Sequence, residues 1–123
     1  MHGIKYVIEA AKILENEPVD FLFYGDGPQK EEMVGFAKKT GIKNVKFFGF
    51  VDEHEWPAIL KEADICLGQF GNTEQARMVV PFKVWDSAAL GEPIVTQSSE
   101  VLDKIFKDKK DILFVDGANS ASI

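Results

Sequence analysis

Residues 81–95 read Pro-Phe-Lys-Val-Trp-Asp-Ser-Ala-Ala-Leu-Gly-Glu-Pro-Ile-Val, a pattern that predicts a helix leading directly into a buried strand. Proline is favoured where a helix begins and glycine where it ends. Lys83 and Asp86 lie one turn apart near the start of this helix, where free N–H groups and the helix dipole attract anions. A lysine suits a phosphate, and a carboxylate can accept hydrogen bonds from a vicinal diol. The stretch therefore predicts a site that holds a phosphate and a sugar hydroxyl together.

The rest of the chain alternates between helical and extended patterns. Apolar spacing predicts helices at about 3–15, 29–40, 53–62, 81–90 and 99–107, and strands at 21–24, 45–48, 64–67, 93–96 and 112–115, with a loop at 68–80. Strict alternation is typical of a doubly wound α/β fold, a parallel sheet of about five strands with helices on both faces. We predict a single Rossmann-like domain over residues 1–123, with the flavodoxin-like strand order 2-1-3-4-5.

In such a sheet, ligands bind outside the carboxyl ends of the strands, at the point where the strand order reverses. The strand at 21–24 is followed by Gly25-Asp26-Gly27-Pro28, and the strand at 64–67 is followed by Gly68-Gln69-Phe70-Gly71. The loop after the second of these leads into the helix that carries Lys83 and Asp86. These segments are therefore predicted to line one crevice.

Composition narrows the class of protein. The 123 residues are 46% hydrophobic, and 20 acidic residues against 14 basic ones give a net charge of −6, with Arg77 the only arginine. An acidic chain without a basic stripe argues against nucleic-acid binding.

The single cysteine, Cys66, lies in an apolar run and is expected to be a buried thiol. No apolar run is long enough to span a bilayer. We expect a cytoplasmic protein, which is compatible with peripheral attachment to a membrane.

Four segments, in this order, resemble those of a known family: Phe21 to Pro28, Asn44 to Val51, Ala63-Asp64-Ile65, and Pro81 to Val95. Together they make the chain, from about residue 2 to residue 117, similar to the C-terminal, donor-binding domain of a GT-B glycosyltransferase of family 4 (group 1). The resemblance implies an enzyme that transfers a sugar, of the hexosyltransferase type, from a nucleotide-diphosphate donor to a glycan or lipid-linked acceptor. It implies retention at the anomeric carbon, no metal or other cofactor, and a place in polysaccharide biosynthesis.

The resemblance also implies roles for particular residues. Asp86 would bind the donor ribose, where glutamate is usual in the family, and it shares the donor helix with Pro81, Phe82 and Lys83. The backbone around Phe50 and Val51 would contact the base, and Gly25 and Gly27 would let the chain approach the donor closely. No catalytic residue is assigned, and the sequence does not identify the sugar, the base or the acceptor.

Three departures from the family pattern bear on the site. Met78 stands where many members carry a second acidic residue, eight positions before Asp86, and Glu74 is the nearest upstream alternative. His2 stands where many members carry a phosphate-neutralising lysine, so Lys83 is the candidate replacement.

The third departure is length, because the acceptor domain and the first strand of the donor domain have no counterpart in the 123 residues. We expect the isolated chain to have little transferase activity, since donor and acceptor are no longer held together. Without that first strand, a sheet edge left open would favour self-association.

Other readings of the same residues stay open. Lys83 and Asp86 could simply pair on the helix surface. Asp26 could be a solvated turn residue or a helix cap, Arg77 a phosphate ligand or a solvated side chain, and Trp85 is expected in the core, as is Trp56. For the whole chain, the alternatives are a stand-alone flavodoxin-like binding or signalling module and, least favoured, a dinucleotide-binding enzyme, because no Gly-x-Gly-x-x-Gly follows a strand.

Overall fold

The structure is a computed structural model that describes residues 3–123, so His2 lies outside the described residues. Helices and strands alternate in the order α1 (Ile4–Ile13), β1 (Phe21–Tyr24), α2 (Lys30–Lys39), β2 (Val45–Phe48), a 3-10 turn (Glu53–Glu55), α3 (Trp56–Glu62), β3 (Cys66–Leu67), α4 (Glu74–Met78), α5 (Phe82–Ala89), β4 (Ile94–Gln97), α6 (Glu100–Ile105) and β5 (Leu113–Val115). The paired strands are parallel. The predicted α/β class with a Rossmann-like arrangement is confirmed.

The sheet is split, and the expectation of one five-stranded sheet is wrong. Within the described residues β1 pairs with β2, and β3, β4 and β5 form a separate three-stranded sheet. Neighbours within each half follow the predicted order, but β1 and β3 do not pair. One physical reason is that β3 contributes only Cys66 and Leu67, both registered on β4, which leaves a very short ladder for a second partner.

Helix α1 packs against both half-sheets and joins them through a shared core. Its buried residues Val7 and Ala11 cluster with Phe21 of β1 and with Phe70, which follows β3. Partly buried side chains from β3, β4 and β5 complete this cluster: Leu67, Val95 and Val115. A second cluster covers the three-stranded sheet and includes Val84 of α5 and Leu102 of α6. The two halves are therefore held together by side-chain packing rather than by backbone pairing.

Local signals explain most element boundaries. The Glu55 carboxylate accepts a hydrogen bond from the Asp52 N–H at 3.1 Å, one of the two contacts of an Asp-x-x-Glu capping box. Ser99 caps α6 by accepting from the Leu102 N–H at 3.2 Å. Pro81 is the residue before α5 rather than its first residue. The stretch predicted as a loop at 68–80 contains the short helix α4, which Thr73 caps by accepting from the Ala76 N–H at 3.2 Å.

The two tryptophans are less buried than the sequence predicts. Trp85 is 43% exposed and packs against Phe106 with ring centroids 5.6 Å apart. The prediction that Trp85 lies in the core is therefore wrong. Trp56 is half-buried and meets Tyr24 edge-on at 5.9 Å.

Candidate functional site

Helix α5 is anchored through its inner face and presents its first turn to solvent. Val84 is only 1% exposed in the core, and the Ser87 hydroxyl, also buried, donates to the Lys83 carbonyl oxygen at 2.7 Å. Phe82, the first residue of the helix, is 87% exposed. Because helices in this fold run antiparallel to the strands they cover, the start of α5 lies at the carboxyl edge of the three-stranded sheet.

Lys83 and Asp86 sit one turn apart on the exposed side of α5 without pairing. The four ion pairs formed within residues 3–123 include neither side chain. The reading in which the two merely neutralise each other is therefore not what the structure describes. Desolvation by surrounding protein lowers the pKa of Lys83 to about 8. The residue as a whole is still exposed, so solvent screens part of this effect.

The loop after β1 contains two of the predicted site glycines. Gly25 has φ +125°, a conformation that L side chains rarely adopt, and a Cβ built on it would meet open space. Its N–H donates to the Gly49 carbonyl oxygen at 3.1 Å. Gly27 has no positive φ, and a Cβ there would also meet nothing within 4 Å. Backbone conformation therefore explains Gly25, whereas nothing in the structure demands glycine at position 27.

Asp26 is the residue in this region whose role sequence reasoning missed. It caps no helix; instead its Oδ2 accepts from the Phe50 N–H at 2.8 Å, and its Oδ1 contacts the Lys30 ammonium at 2.5 Å. These two contacts, the Lys30 bond first, lower the pKa of Asp26. Phe50 is 75% exposed, and Val51 beside it is partly buried. The link connects predicted site segments that are 24 residues apart in sequence.

The crevice beyond β3 and β4 is polar. Arg77 donates to the Asn72 side-chain oxygen at 2.9 Å, and with Gln97, Ser98 and Ser99 they line a cavity of about 200 Å³. A larger open depression of about 740 Å³ lies along Asp103, Lys107, Phe114 and Asp116. Arg77, the alternative phosphate ligand, lines the smaller cavity, but the residues predicted to bind the donor line neither the cavity nor the depression. The predicted donor residues therefore lie on open surface, and size alone is a poor guide to the site.

The departures from the family pattern have clear positions. Met78 ends α4 and is 66% exposed, and Glu74 begins the same helix.

In the described part of the chain no three His, Cys, Asp or Glu side chains come together in a way that could hold a metal ion. Across residues 3–123 every helix is too short or too polar to cross a membrane.

Comparison with known proteins gives the family. The model for "Glycosyl transferases group 1" matches residues 1–123. The chain is also 34% identical over 89 residues to the "Putative colanic acid biosynthesis glycosyl transferase WcaI" of Escherichia coli (strain K12), a match that covers 72% of this chain and 22% of that protein. The chain thus spans about a fifth of the length of this relative. A match over all 123 residues, on a parallel α/β fold, shows that the chain belongs to the group 1 glycosyltransferase family.

Proposed function

We propose that this chain is the domain that binds the nucleotide-diphosphate sugar in a retaining glycosyltransferase of the hexosyltransferase type. One observation carries the proposal: Lys83 in the first turn of α5 and Asp86 one turn later are both exposed, and neither is neutralised by an ion pair within residues 3–123. A cation and a carboxylate kept apart at a helix start suit a ligand that offers both an anion and hydroxyl donors.

The diphosphate would lie against the first turn of α5. Pro81 has no N–H, and the Val84 N–H already donates to the Pro81 carbonyl oxygen at 2.9 Å. The N–H groups of Phe82 and Lys83 precede that bond and, in a helix, have no intrahelical acceptor. The Lys83 ammonium would add a full positive charge beside them. This charge would also stabilise the leaving nucleoside diphosphate as the bond to the sugar breaks.

The ribose and base would extend away from the phosphate groups. The Asp86 carboxylate can accept hydrogen bonds from the ribose diol. Gly25 and Gly27 would allow the backbone after β1 to approach the donor, and the Phe50–Val51 segment would meet the base. No metal or cofactor is required by this arrangement, because the cationic charge comes from Lys83 and the helix start.

The acceptor would bind outside this domain. Because the chain spans 22% of its curated relative, we propose that a second domain supplies the acceptor site in the full enzyme. Transfer by the isolated chain would then be negligible, since proximity of the two substrates is lost. The name of that relative refers to colanic acid biosynthesis, and we extend this to a polysaccharide or lipid-linked acceptor here.

An NMR titration of the 123-residue chain with UDP, GDP and their sugar conjugates tests the proposal. We expect shift changes concentrated at 25–27, 50–51 and 81–86, with the preferred base binding more tightly. A well-folded sample that responds to none of these nucleotides would overturn the proposal and favour the alternative of a stand-alone binding module. Shift changes confined to the depression along Asp103 and Asp116 would overturn the proposed location.

A further inference from the structure

The loops that leave β1 and β2 are tied together beyond the last residue pair of their sheet, Tyr24 and Phe48. The Gly25 N–H donates to the Gly49 carbonyl oxygen at 3.1 Å, and the Phe50 N–H donates to Asp26 Oδ2 at 2.8 Å. The second contact is made by a side chain, so its strength depends on the identity of residue 26. Lys30, the first residue of α2, holds the other oxygen of the same carboxylate at 2.5 Å.

This tie has a direct consequence for any ligand at Phe50. An N–H group donates effectively to one acceptor, and that of Phe50 is already committed to Asp26. The backbone contact with the base that the family resemblance implies can therefore not use this N–H group. What Phe50 offers a ligand is its carbonyl oxygen and its ring.

The Phe50 ring is available to a ligand. The Phe50 side chain is 75% exposed, although a phenylalanine gains free energy from burial. Close by in sequence and in the sheet, Tyr24 and Phe48 stack at 4.7 Å with their planes 13° apart, and Phe48 is itself 40% exposed. Exposed aromatic faces are the surfaces on which nucleobases stack. A ring carried on a backbone that is already held loses less freedom on binding than a ring on a free loop.

We propose that Asp26 is a positioning residue that fixes the Phe50 backbone so that the Phe50 ring forms the stacking surface for the base of the donor nucleotide. The inference rests on the proposed function and adds to it: recognition of the base is by stacking on a side chain, oriented by a carboxylate that does not itself touch the donor. Lys30 holds that carboxylate in place from α2.

The test compares nucleoside diphosphates with inorganic pyrophosphate, which has no base. Calorimetric titrations would use the unmodified 123-residue chain and the variants Phe50→Ala, Phe50→Trp, Asp26→Ala and Asp26→Asn. The matched control is Asp20→Ala, which removes a second exposed carboxylate next to β1, one that pairs with Lys46 of β2 just before β1 begins. Circular dichroism would verify that each variant is folded.

We expect Phe50→Ala and Asp26→Ala to weaken binding of UDP or GDP by about fivefold or more, the loss typical of removing one stacked base. Pyrophosphate binding should stay within twofold of the unmodified chain. Phe50→Trp should retain nucleotide affinity because it keeps an aromatic face, and Asp26→Asn should retain most of it because the amide oxygen still accepts from the Phe50 N–H. Asp20→Ala should change the affinity for neither the nucleotide nor pyrophosphate.

Two outcomes would overturn the inference while leaving the proposed function in place. One is unchanged nucleotide affinity in Phe50→Ala alongside a clear loss in Lys83→Ala. The other is an equal loss of nucleotide and pyrophosphate binding in Asp26→Ala, which would mean that Asp26 only maintains the fold. If the unmodified chain binds neither UDP nor GDP, the proposed function and this inference both fail.

Discussion

The backbone of Gly3 lies against that of Phe70, so closely that a Cβ on residue 3 would stand 2.4 Å from the Phe70 carbonyl carbon. Gly3 also has φ +72°, in the left-handed region. The start of α1 is thus fitted to the chain that leaves β3, at the point where the two half-sheets share their core.

Replacing Gly3 by alanine should destabilise the fold markedly. Both the left-handed backbone and the clash with Phe70 oppose a side chain, and together they should cost about 2–4 kcal/mol of unfolding free energy. The matched control is Gly35→Ala, because Gly35 lies within α2, and a Cβ there would meet nothing within 4 Å. That control should stabilise the chain by about 0.5–1 kcal/mol. Equal midpoints for the two variants in urea denaturation would contradict the described contact.

Donor affinity should fall as the pH rises through the pKa of Lys83. Desolvation by surrounding protein lowers the pKa of Lys83 to about 8 in the free chain, and a bound diphosphate would raise this pKa again because it favours the charged form. Binding then takes up a proton near and above pH 8, so affinity is full below that value and declines above it. The terminal phosphate does not interfere, since it titrates near pH 6.

Calorimetry between pH 7 and pH 9.5 checks this dependence, in buffers of differing ionisation enthalpy that reveal proton uptake. Lys83→Arg is the matched control, because an arginine stays charged over the whole range. Its affinity should not follow the decline of the unmodified chain. The same decline in both proteins would exclude Lys83 as its source.

Asp86 should bind the donor through the ribose hydroxyls. Asp86→Ala should weaken UDP or GDP binding by about 1.5–3 kcal/mol, the usual worth of hydrogen bonds to a charged group. The corresponding 2′-deoxynucleoside diphosphate already lacks one of the hydroxyls, so it should lose less from the same substitution. Titrating both ligands into both proteins gives the coupling free energy between the Asp86 side chain and the 2′-hydroxyl. A coupling of zero would mean that Asp86 does not touch the 2′-hydroxyl.

The described structure also predicts self-association. Strands β1 and β2 each pair on one side only within residues 3–123, so both have an open edge. The β2 strand carries the charged Lys46, which discourages pairing, whereas β1 reads Phe-Leu-Phe-Tyr. Leu22 is 47% exposed on β1. We expect sedimentation velocity to show a concentration-dependent dimer that Leu22→Lys suppresses.

Leu113→Lys serves as the comparison, since Leu113 is 45% exposed on β5, at the far side of the other sheet. It should leave the dimer intact. Loss of the dimer in this variant alone would assign the contact to β5, and a monomer at all concentrations would contradict the prediction.

The sequence was sufficient to predict what depends on local pattern. Strands β1 and β2 fall where their apolar runs predict them, and α5 lies between Pro81 and Gly91 as its boundary residues indicate. The short helix α4 was missed because its polar residues lack an apolar period, although Thr73 followed by Glu74 is a usable start signal.

Features that depend on distant partners could not be predicted in this way. The split between β1 and β3 reflects which strands pair, a property that no single run of residues encodes. The link from Asp26 to Phe50 joins positions 24 residues apart, and each looks like an ordinary loop residue in isolation. Sequence spacing alone would permit an ion pair between Lys83 and Asp86. Only the side-chain geometry of the structure shows that this pair does not form.

The most direct test of the central claim, that the start of α5 holds a nucleotide diphosphate, is calorimetric titration of UDP and GDP into the unmodified chain, Lys83→Ala and Lys61→Ala. Lys61 is the matched control, an exposed lysine on α3. The account predicts that one nucleotide binds the unmodified chain and Lys61→Ala equally, and binds Lys83→Ala at least about tenfold more weakly, as loss of a charged contact implies. Equal affinity in all three proteins would contradict it.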